Sequence, residues 1–453
     1  MAGSTHAQAF AEAILSSGRG HVFGLMGDDN AALLLALRER GVEVVAAHHE
    51  SAAVAMAEGY AWAAGRPGIC SVPHGLGLSE VVSSLRVASR NRSAVVLIAA
   101  AEEHDVTEYR RMWPGEDPAA VLADALSLAA DRLRPVVVGV DAELLTAPVR
   151  VGAVKLPAPR PRIGLAVGDD AAVARRLTAA LARSRRPVLL AGRGVQATGS
   201  ADLVRDLAER TGAALATTLA AKGLFDGHVQ DLGLAGDLAH PAAERVLRAA
   251  DLVLAFGRTR PAPKAPRTVL VDDGDGDTAE ILGLLCGAVS RRAPWFAPVG
   301  SAAECWREDL LDHSPPIPAG TVDPRRALAT IDALIPADAV VVIGGGRCEA
   351  FACALIARPR DGRFLAAESR ALPLAIGAAL ASPARKVVVF DGDGTHPAGM
   401  AGLDLTLFLL KEGAGSDEVA GLARAALRPG PAVVEIRTAP GVTPRHRRSR
   451  EEP

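Results

Sequence analysis

The chain has 453 residues, 49% hydrophobic and 23% charged, which is too long for one core and suits two or three globular domains. Its 50 basic and 52 acidic residues leave a formal charge of -2, so no basic footprint points to nucleic acid or an anionic membrane. The five cysteines (Cys70, Cys286, Cys305, Cys348, Cys353) form no CxxC pair and no zinc spacing with histidine, so buried free thiols in a reducing compartment are expected. No apolar run reaches the ~18 residues of a membrane span, and no basic-then-apolar leader opens the chain; together these imply a cytoplasmic protein.

Thr5-His-Ala-Gln8 fits a capping box that opens an amphipathic helix, with Phe10, Ile14 and Leu15 spaced for one buried face. Strand and helix then alternate. His21 to Leu25 precedes a helix around Asn30 to Arg40, Val42 to Ala47 one around Ser51 to Ala64, and Gly68 to Val72 one around Leu78 to Ala88. Ala94 to Ala99 and Pro135 to Val140 add two further apolar strands. A second unit follows the proline-rich stretch 154–164, with strands at Pro187 to Ala191, Ala213 to Thr217, Leu252 to Phe256 and Val269 to Asp272. A second proline-rich passage, 293–324, leads to a helix that Asp323 would cap and Pro324 would open. After it come the strand Ala339 to Ile343, the helical Leu372 to Ala381, and the strand Val387 to Phe390. Uninterrupted apolar strands alternating with helices predict an α/β fold of three doubly wound parallel-sheet domains, at 1–150, 163–290 and 323–441.

Four stretches could carry chemistry. In His48-His49-Glu50 a strand runs into a helix, at the sheet end where parallel α/β proteins bind ligands; a glutamate there is also a common helix-start residue. Adjacent histidines diverge, which disfavours a metal site. PHGLGLS, 73–79, again joins strand to helix, and its glycines permit close backbone approach. LLAGRGVQATGS, 189–200, resembles a nucleotide-binding turn, but Ala197 stands at the third glycine and a structural turn is the simpler reading. In FDGDGT, Gly392 and Gly394 free backbone N–H groups for a diphosphate, and Asp393 can ligate Mg2+.

The order of these features resembles the thiamine-diphosphate-dependent enzymes of the acetolactate synthase and benzoylformate decarboxylase type. VFGLMGDDNAALLLAL and AAHHESAAVAMAEGYAWAAGRPGICSVPHGLGLSEVVSSL look like that family's pyrimidine-binding domain. RPVLLAGRGV, GAALATTLAAKGLFDGH and ADLVLAFGRTR are similar to its central domain, and RFLAAESRALPLAIGAALASPARKVVVFDGDGT to the start of its diphosphate-binding domain. The resemblance implies that Glu50 is the catalytic carboxyl that hydrogen-bonds the cofactor's aminopyrimidine ring. It implies that Gly75 and Gly77 meet the cofactor, that Gly392, Asp393, Gly394 and Thr395 face its diphosphate, and that Asp393 holds Mg2+. The substrate implied is a 2-oxo acid such as pyruvate, decarboxylated or carboligated. Because the family's cofactor bridges two subunits, a homodimer or dimer of dimers is implied too. FAD does not follow, since many relatives keep the central fold without a flavin.

Several positions depart from the family pattern. His48 stands where relatives usually carry arginine, Leu76 where they have proline, and His74 where they have a small or amide residue; His74 could reach a substrate. Only residues 395–403 separate Gly394 from DLTLFLL, fewer than the ~12 or more residues of a parallel crossover, which predicts a shortened C-terminal domain. Lys411-Glu412 then stands where relatives have Asn-Asp, so Glu412 is the candidate second metal ligand, with the Lys411 charge beside it. Two functions therefore stay open: a thiamine diphosphate and Mg2+ dependent enzyme, or a degenerate relative that binds or regulates without catalysis.

Overall fold

The computed structural model describes residues 4–73, 76–100, 108–149, 169–236, 238–257, 267–271, 277–299, 305, 317–345, 347–357, 363–367, 370–392, 399–413, 418–439 and 442. Helix α1 (His6–Ser16) starts with both halves of its capping box: Gln8 N–H donates to Thr5 Oγ1, and Thr5 N–H to the Gln8 side chain. Phe10 and Ile14 are buried, but Leu15 is 40% exposed, so the buried face is narrower than its spacing suggests. There follow β1 (His21–Gly24), α2 (Ala31–Glu39), β2 (Glu43–Ala46), α3 (Glu50–Ala64), β3 (Gly68–Ser71), α4 (Leu76–Arg90), β4 (Val95–Ala99), β5 (Glu108–Arg111) and β6 (Val136–Gly139). They form one six-stranded sheet in the order β2-β1-β3-β4-β6-β5, parallel throughout.

The second sheet contains β7 (Pro187–Ala191), β8 (Ala214–Thr217), β9 (Asp231–Leu234), β10 (Leu252–Phe256) and β11 (Thr268–Val271). Its order is β11-β10-β7-β8-β9, again parallel. Alternate residues feed two cores: Leu189, Leu215 and Leu254 pack with the helices on one side, Val188, Ala214 and Val253 with Leu247 on the other. This is why the strands read as unbroken apolar runs. The passage after residue 293 is not a free linker at its start. Trp295, Phe296 and Val299 pack on the second core, and Trp295 Nε1 donates to Pro187 O at 2.9 Å.

The third sheet comprises β12 (Val340–Ile343), β13 (Phe364–Ala366), β14 (Val387–Asp391), β15 (Leu405–Glu412) and β16 (Ala432–Thr438), in the order β13-β12-β14-β15-β16. The helix Pro324–Asp332 that leads into it begins as expected, with Asp323 Oδ1 accepting from Arg325 N–H and proline at the first turn.

One expectation fails here. Strands β14 and β15 are parallel in continuous register from Val387↔Leu405 to Asp391↔Leu409, so the short connection does make the crossover. Measured from strand end to strand start, residues 392–404, it reaches the ~12 residues required, and it need only retrace a five-residue strand of ~17 Å. A buried knot fixes the return. Lys386 Nζ donates to Asp404 Oδ1 (2.8 Å), Arg428 O (2.7 Å) and Gly430 O (3.0 Å), while Val387 N–H donates to Asp404 O. This ties the starts of β14, β15 and β16 together and does the positioning that a packed crossover helix usually does.

By compactness the chain divides into two units, Met1–Ile163 with Pro373–Ser382, and Gly164–Leu372 with Pro383–Pro453. The second and third sheets share the latter. In the first unit α3 lies backbone to backbone on its neighbours. A Cβ on Gly59 would stand 1.8 Å from Leu374 O, one on Gly377 1.8 Å from Met56 O, and one on Gly68 2.1 Å from Ala57 O.

Candidate functional site

The first unit places its candidate groups at the C-terminal ends of β1, β2 and β3. The loop leaving β1 is fixed by the buried Asn30, whose Oδ1 accepts from Gly27 N–H (2.8 Å) and whose Nδ2 donates to Leu25 O (3.0 Å) and Ser71 Oγ (3.1 Å). Gly27 is required here, because a Cβ would come within 2.5 Å of Pro73. Asp28 and Asp29 follow on this clamped loop.

Leaving β2, His48 is exposed and His49 caps α3, its Nδ1 accepting from Ser51 N–H at 3.2 Å and lying 2.7 Å from Ser51 Oγ. Glu50 is the first residue of α3 and its side chain is 19% exposed. His49 stands between two carboxylates, 3.7 Å from Glu50 and 3.8 Å from Glu80 on α4. Burial of α3 on its neighbours holds the Glu50 carboxyl in place. About two turns further on, the buried Glu58 accepts from Asn91 Nδ2 (2.9 Å) and Ser93 Oγ (3.0 Å), a satisfied structural carboxylate.

Of the PHGLG stretch, His74 and Gly75 lie outside the described residues. Helix α4 begins at Leu76, so Gly77 falls in its first turn rather than in the loop before it.

In the second unit the C-terminal ends of β12 and β14 lie side by side. Gly344 N–H donates to Phe390 O at 2.6 Å, and a Cβ on Gly344 would stand 2.0 Å from Asp391 Oδ1. Asp391 Oδ1 also accepts from Gly392 N–H at 2.9 Å, and Gly392 has open space where a side chain would be. Asp393, Gly394 and Thr395 lie outside the described residues. Glu412 ends β15 and is exposed. Lys411 does not stand as a loose charge: its ammonium meets Glu435 of β16 at 3.0 Å, and Glu435 in turn meets Arg437 at 2.6 Å. Among the described residues no group of three or more His, Cys, Asp or Glu side chains could hold a metal ion.

The glycine turn after β7 is structural in its contacts. A Cβ on Gly194 would come within 2.6 Å of Gly257 Cα, so that glycine serves close packing of two strand exits. Between the second and third sheets lies a small cavity of about 40 Å³, lined by Thr217, Lys222, Asp226, Asp231 and Cys353 among others. Burial pushes the Asp231 carboxyl up to about 6, lowers the Lys222 ammonium and raises the Cys353 thiol to about 12. Lys222 Nζ donates to Ile356 O and sits 4.6 Å above the Phe364 ring. Cys70, Cys286 and Cys353 are buried thiols outside any disulfide.

Sequence reading missed Asn30, Lys386, Asp391 with Gly344, and the Lys222 cavity. A polar residue beside an apolar run reads as solvated flank; only the pairing of distant strands reveals its burial.

Three parallel sheets with polar strand exits define a doubly wound α/β protein that binds ligands at the C-terminal strand ends. Family models describing the thiamine pyrophosphate enzyme N-terminal, central and C-terminal domains match residues 4–118, 174–273 and 347–405. The chain belongs to the thiamine pyrophosphate enzyme family and is a thiamine-diphosphate-dependent enzyme of the lyase or transferase type. Acetolactate synthase of Mycobacterium bovis is 27% identical over 86% of this chain and 72% of its own length. A Pseudomonas aeruginosa protein named as a 2-ketoarginine decarboxylase is 27% identical over 86% of this chain and 77% of its own. Sulfoacetaldehyde acetyltransferase of Castellaniella defragrans is 24% identical over 88% and 78%. The fold matches the crystal structure of a thiamin diphosphate-dependent enzyme isolated from Mycobacterium smegmatis with a TM-score of 0.76 at 20% identity, over 96% of this chain and 100% of that one.

The described residues fit that cofactor. Glu50 offers a half-sheltered carboxyl that can share a proton with a ring nitrogen, and Gly392 offers side-chain-free backbone at a strand end. Among the described residues, no helix is long and apolar enough to cross a membrane.

Proposed function

We propose that this enzyme uses thiamine diphosphate and Mg2+ to decarboxylate or carboligate a 2-oxo acid such as pyruvate, as a cytoplasmic homodimer or dimer of dimers. The observation that carries the reading is Glu50, a partly buried carboxyl heading a helix locked onto its sheet by glycine contacts. The bound cofactor supplies the electron sink for decarboxylation. Glu50 holds and moves a proton at the aminopyrimidine ring. Gly75, Gly77, Gly392, Gly394 and Thr395 bring backbone and hydroxyl groups to the cofactor, Asp393 and Glu412 ligate the metal, and His74 faces the substrate. The domain bounds proposed are 1–150, 163–290 and 323–441. No residue described here argues for FAD.

Support for an intact diphosphate side comes from the regular β14–β15 pairing, which answers the crossover-length argument for degeneracy, while Lys411-Glu412 still stands in place of Asn-Asp. Calorimetric titration of thiamine diphosphate with and without Mg2+ tests the proposal. Binding that needs Mg2+ and is lost in Asp393→Ala is expected. No binding in either condition would return the degenerate reading.

A further inference from the structure

The edge of the first sheet opposite Glu50 carries two arginines side by side. Arg19 precedes β1 and Arg66 precedes β3, and those strands are parallel neighbours, so both residues stand at the same N-terminal edge. Their donors reach only neutral oxygens. Arg19 Nε donates to Pro67 O (3.3 Å) and Nη1 to Ser17 O (3.5 Å); Arg66 Nη1 donates to Gly18 O (3.0 Å) and Nη2 to Tyr60 Oη (2.8 Å). Among the described residues neither guanidinium meets a carboxylate. Glu43, the acidic residue at this edge, is engaged by His21 at 3.3 Å.

A guanidinium carries five donors, so Nη2 of Arg19 and Nε of Arg66 are unspent. Burial first, and then the neighbouring Arg66 charge, lowers the Arg19 pKa to about 10. Carbonyls at the end of α1 supply part of the balancing charge, since Ser17 and Gly18 both accept here, but a helix terminus offers only about half a negative charge against two positive ones. There is also room. Gly20 is exposed, with nothing within 4 Å of where a Cβ would lie.

We propose that Arg19, Arg66 and the Tyr60 hydroxyl form a binding site for a tetrahedral oxyanion, either inorganic phosphate or a phosphate monoester. Planar guanidinium forks match phosphate oxygens two at a time, and the Tyr60 hydroxyl, accepting from Arg66, keeps its own proton to donate. The site does not depend on the proposed catalytic role of Glu50. Tyr60 stands ten residues along α3 from Glu50, ~15 Å away along the helix, with Arg66 beyond the helix's far end.

Titration calorimetry on the full chain at low ionic strength, with inorganic phosphate and separately with methyl phosphate, tests it. Saturable binding is expected, weakened at least tenfold in Arg19→Gln and in Arg66→Gln, less in Tyr60→Phe, and unchanged in Arg38→Gln. Tighter binding of methyl phosphate assigns the site to a monoester, and equal or weaker binding to the free ion. Should Arg19→Gln fail to fold, a phosphate-dependent rise in Tm seen in wild type and lost in the exposed Arg66→Gln still decides the matter. Absence of binding to wild type, or undiminished binding to Arg66→Gln, overturns the proposal.

Discussion

The exits of the first and third sheets bear the two halves of the candidate catalytic machinery, and they are held by different physics. At the first, α3 is fixed chiefly by contact: Gly59, Gly68 and Gly377 let backbones meet, and His49 adds a cap and an ion pair at Glu50. At the third, β14 and β15 are fixed by charge, through a buried lysine that gathers a carboxylate and two carbonyls. Close packing tolerates no added atom, whereas a polar knot tolerates no missing one.

That contrast can be broken from either side. The largest effect is expected for Glu50→Gln, which keeps the shape of the carboxyl but not its proton chemistry; turnover should fall by roughly 10²–10⁴ while thermal unfolding is unchanged. An unaltered kcat would remove Glu50 from catalysis. Gly59→Ala should cost roughly 3 kcal/mol by denaturant titration, because its methyl meets the Leu374 carbonyl. Lys386→Met leaves Arg428 O and Gly430 O without their donor and takes the charge from beside Asp404, and should cost roughly 2 kcal/mol in the same assay. If the alanine is tolerated and the methionine is not, contact is the weaker of the two supports.

Asp231→Asn sharpens the comparison at the cavity beside the third sheet. The folded carboxyl keeps its proton to about pH 6, well above the ordinary aspartate range near 4, so native stability falls as pH rises from about 4 to about 6 and is flat above. The variant should lose that slope and be more stable than wild type at pH 7 by roughly 3 kcal/mol, read from unfolding curves at several pH values. Smallest of all, Lys411→Ala breaks a half-exposed pair and should leave the denaturation midpoint where it was.

The central apolar strands, such as β4, β7, β10 and β12, are legible because they are buried along their whole length and announce themselves without regard to their neighbours. The missed strands differ. β5 is the polar run EYRR at a sheet edge, secured by Arg110–Glu116 and Arg132–Glu108 ion pairs. β9 has four residues including a glycine, and β13 three. Their pairing partners, not their composition, make them strands. The crossover is not legible because the sequence does not mark that β14 ends at Asp391, short of the Gly394 turn, and because Lys386, flanking an apolar run, carries no sign of burial. Of the candidate site, Glu50 was readable from its junction and from family order. Its cap by His49 and the Asn30 clamp were not, since each depends on a backbone direction that one sequence does not reveal.

Residues Pro373–Ser382 complete the first unit although the chain that precedes them, from Gly164 onward, belongs to the second. On a ribosome this imposes an order of events. At about 5–20 residues per second, the outer surface of α3 waits roughly 10–40 s after residue 163 before Leu374 and Gly377 emerge to cover it. Until then its small residues face water or a chaperone, so the domain made first is among the last to be finished.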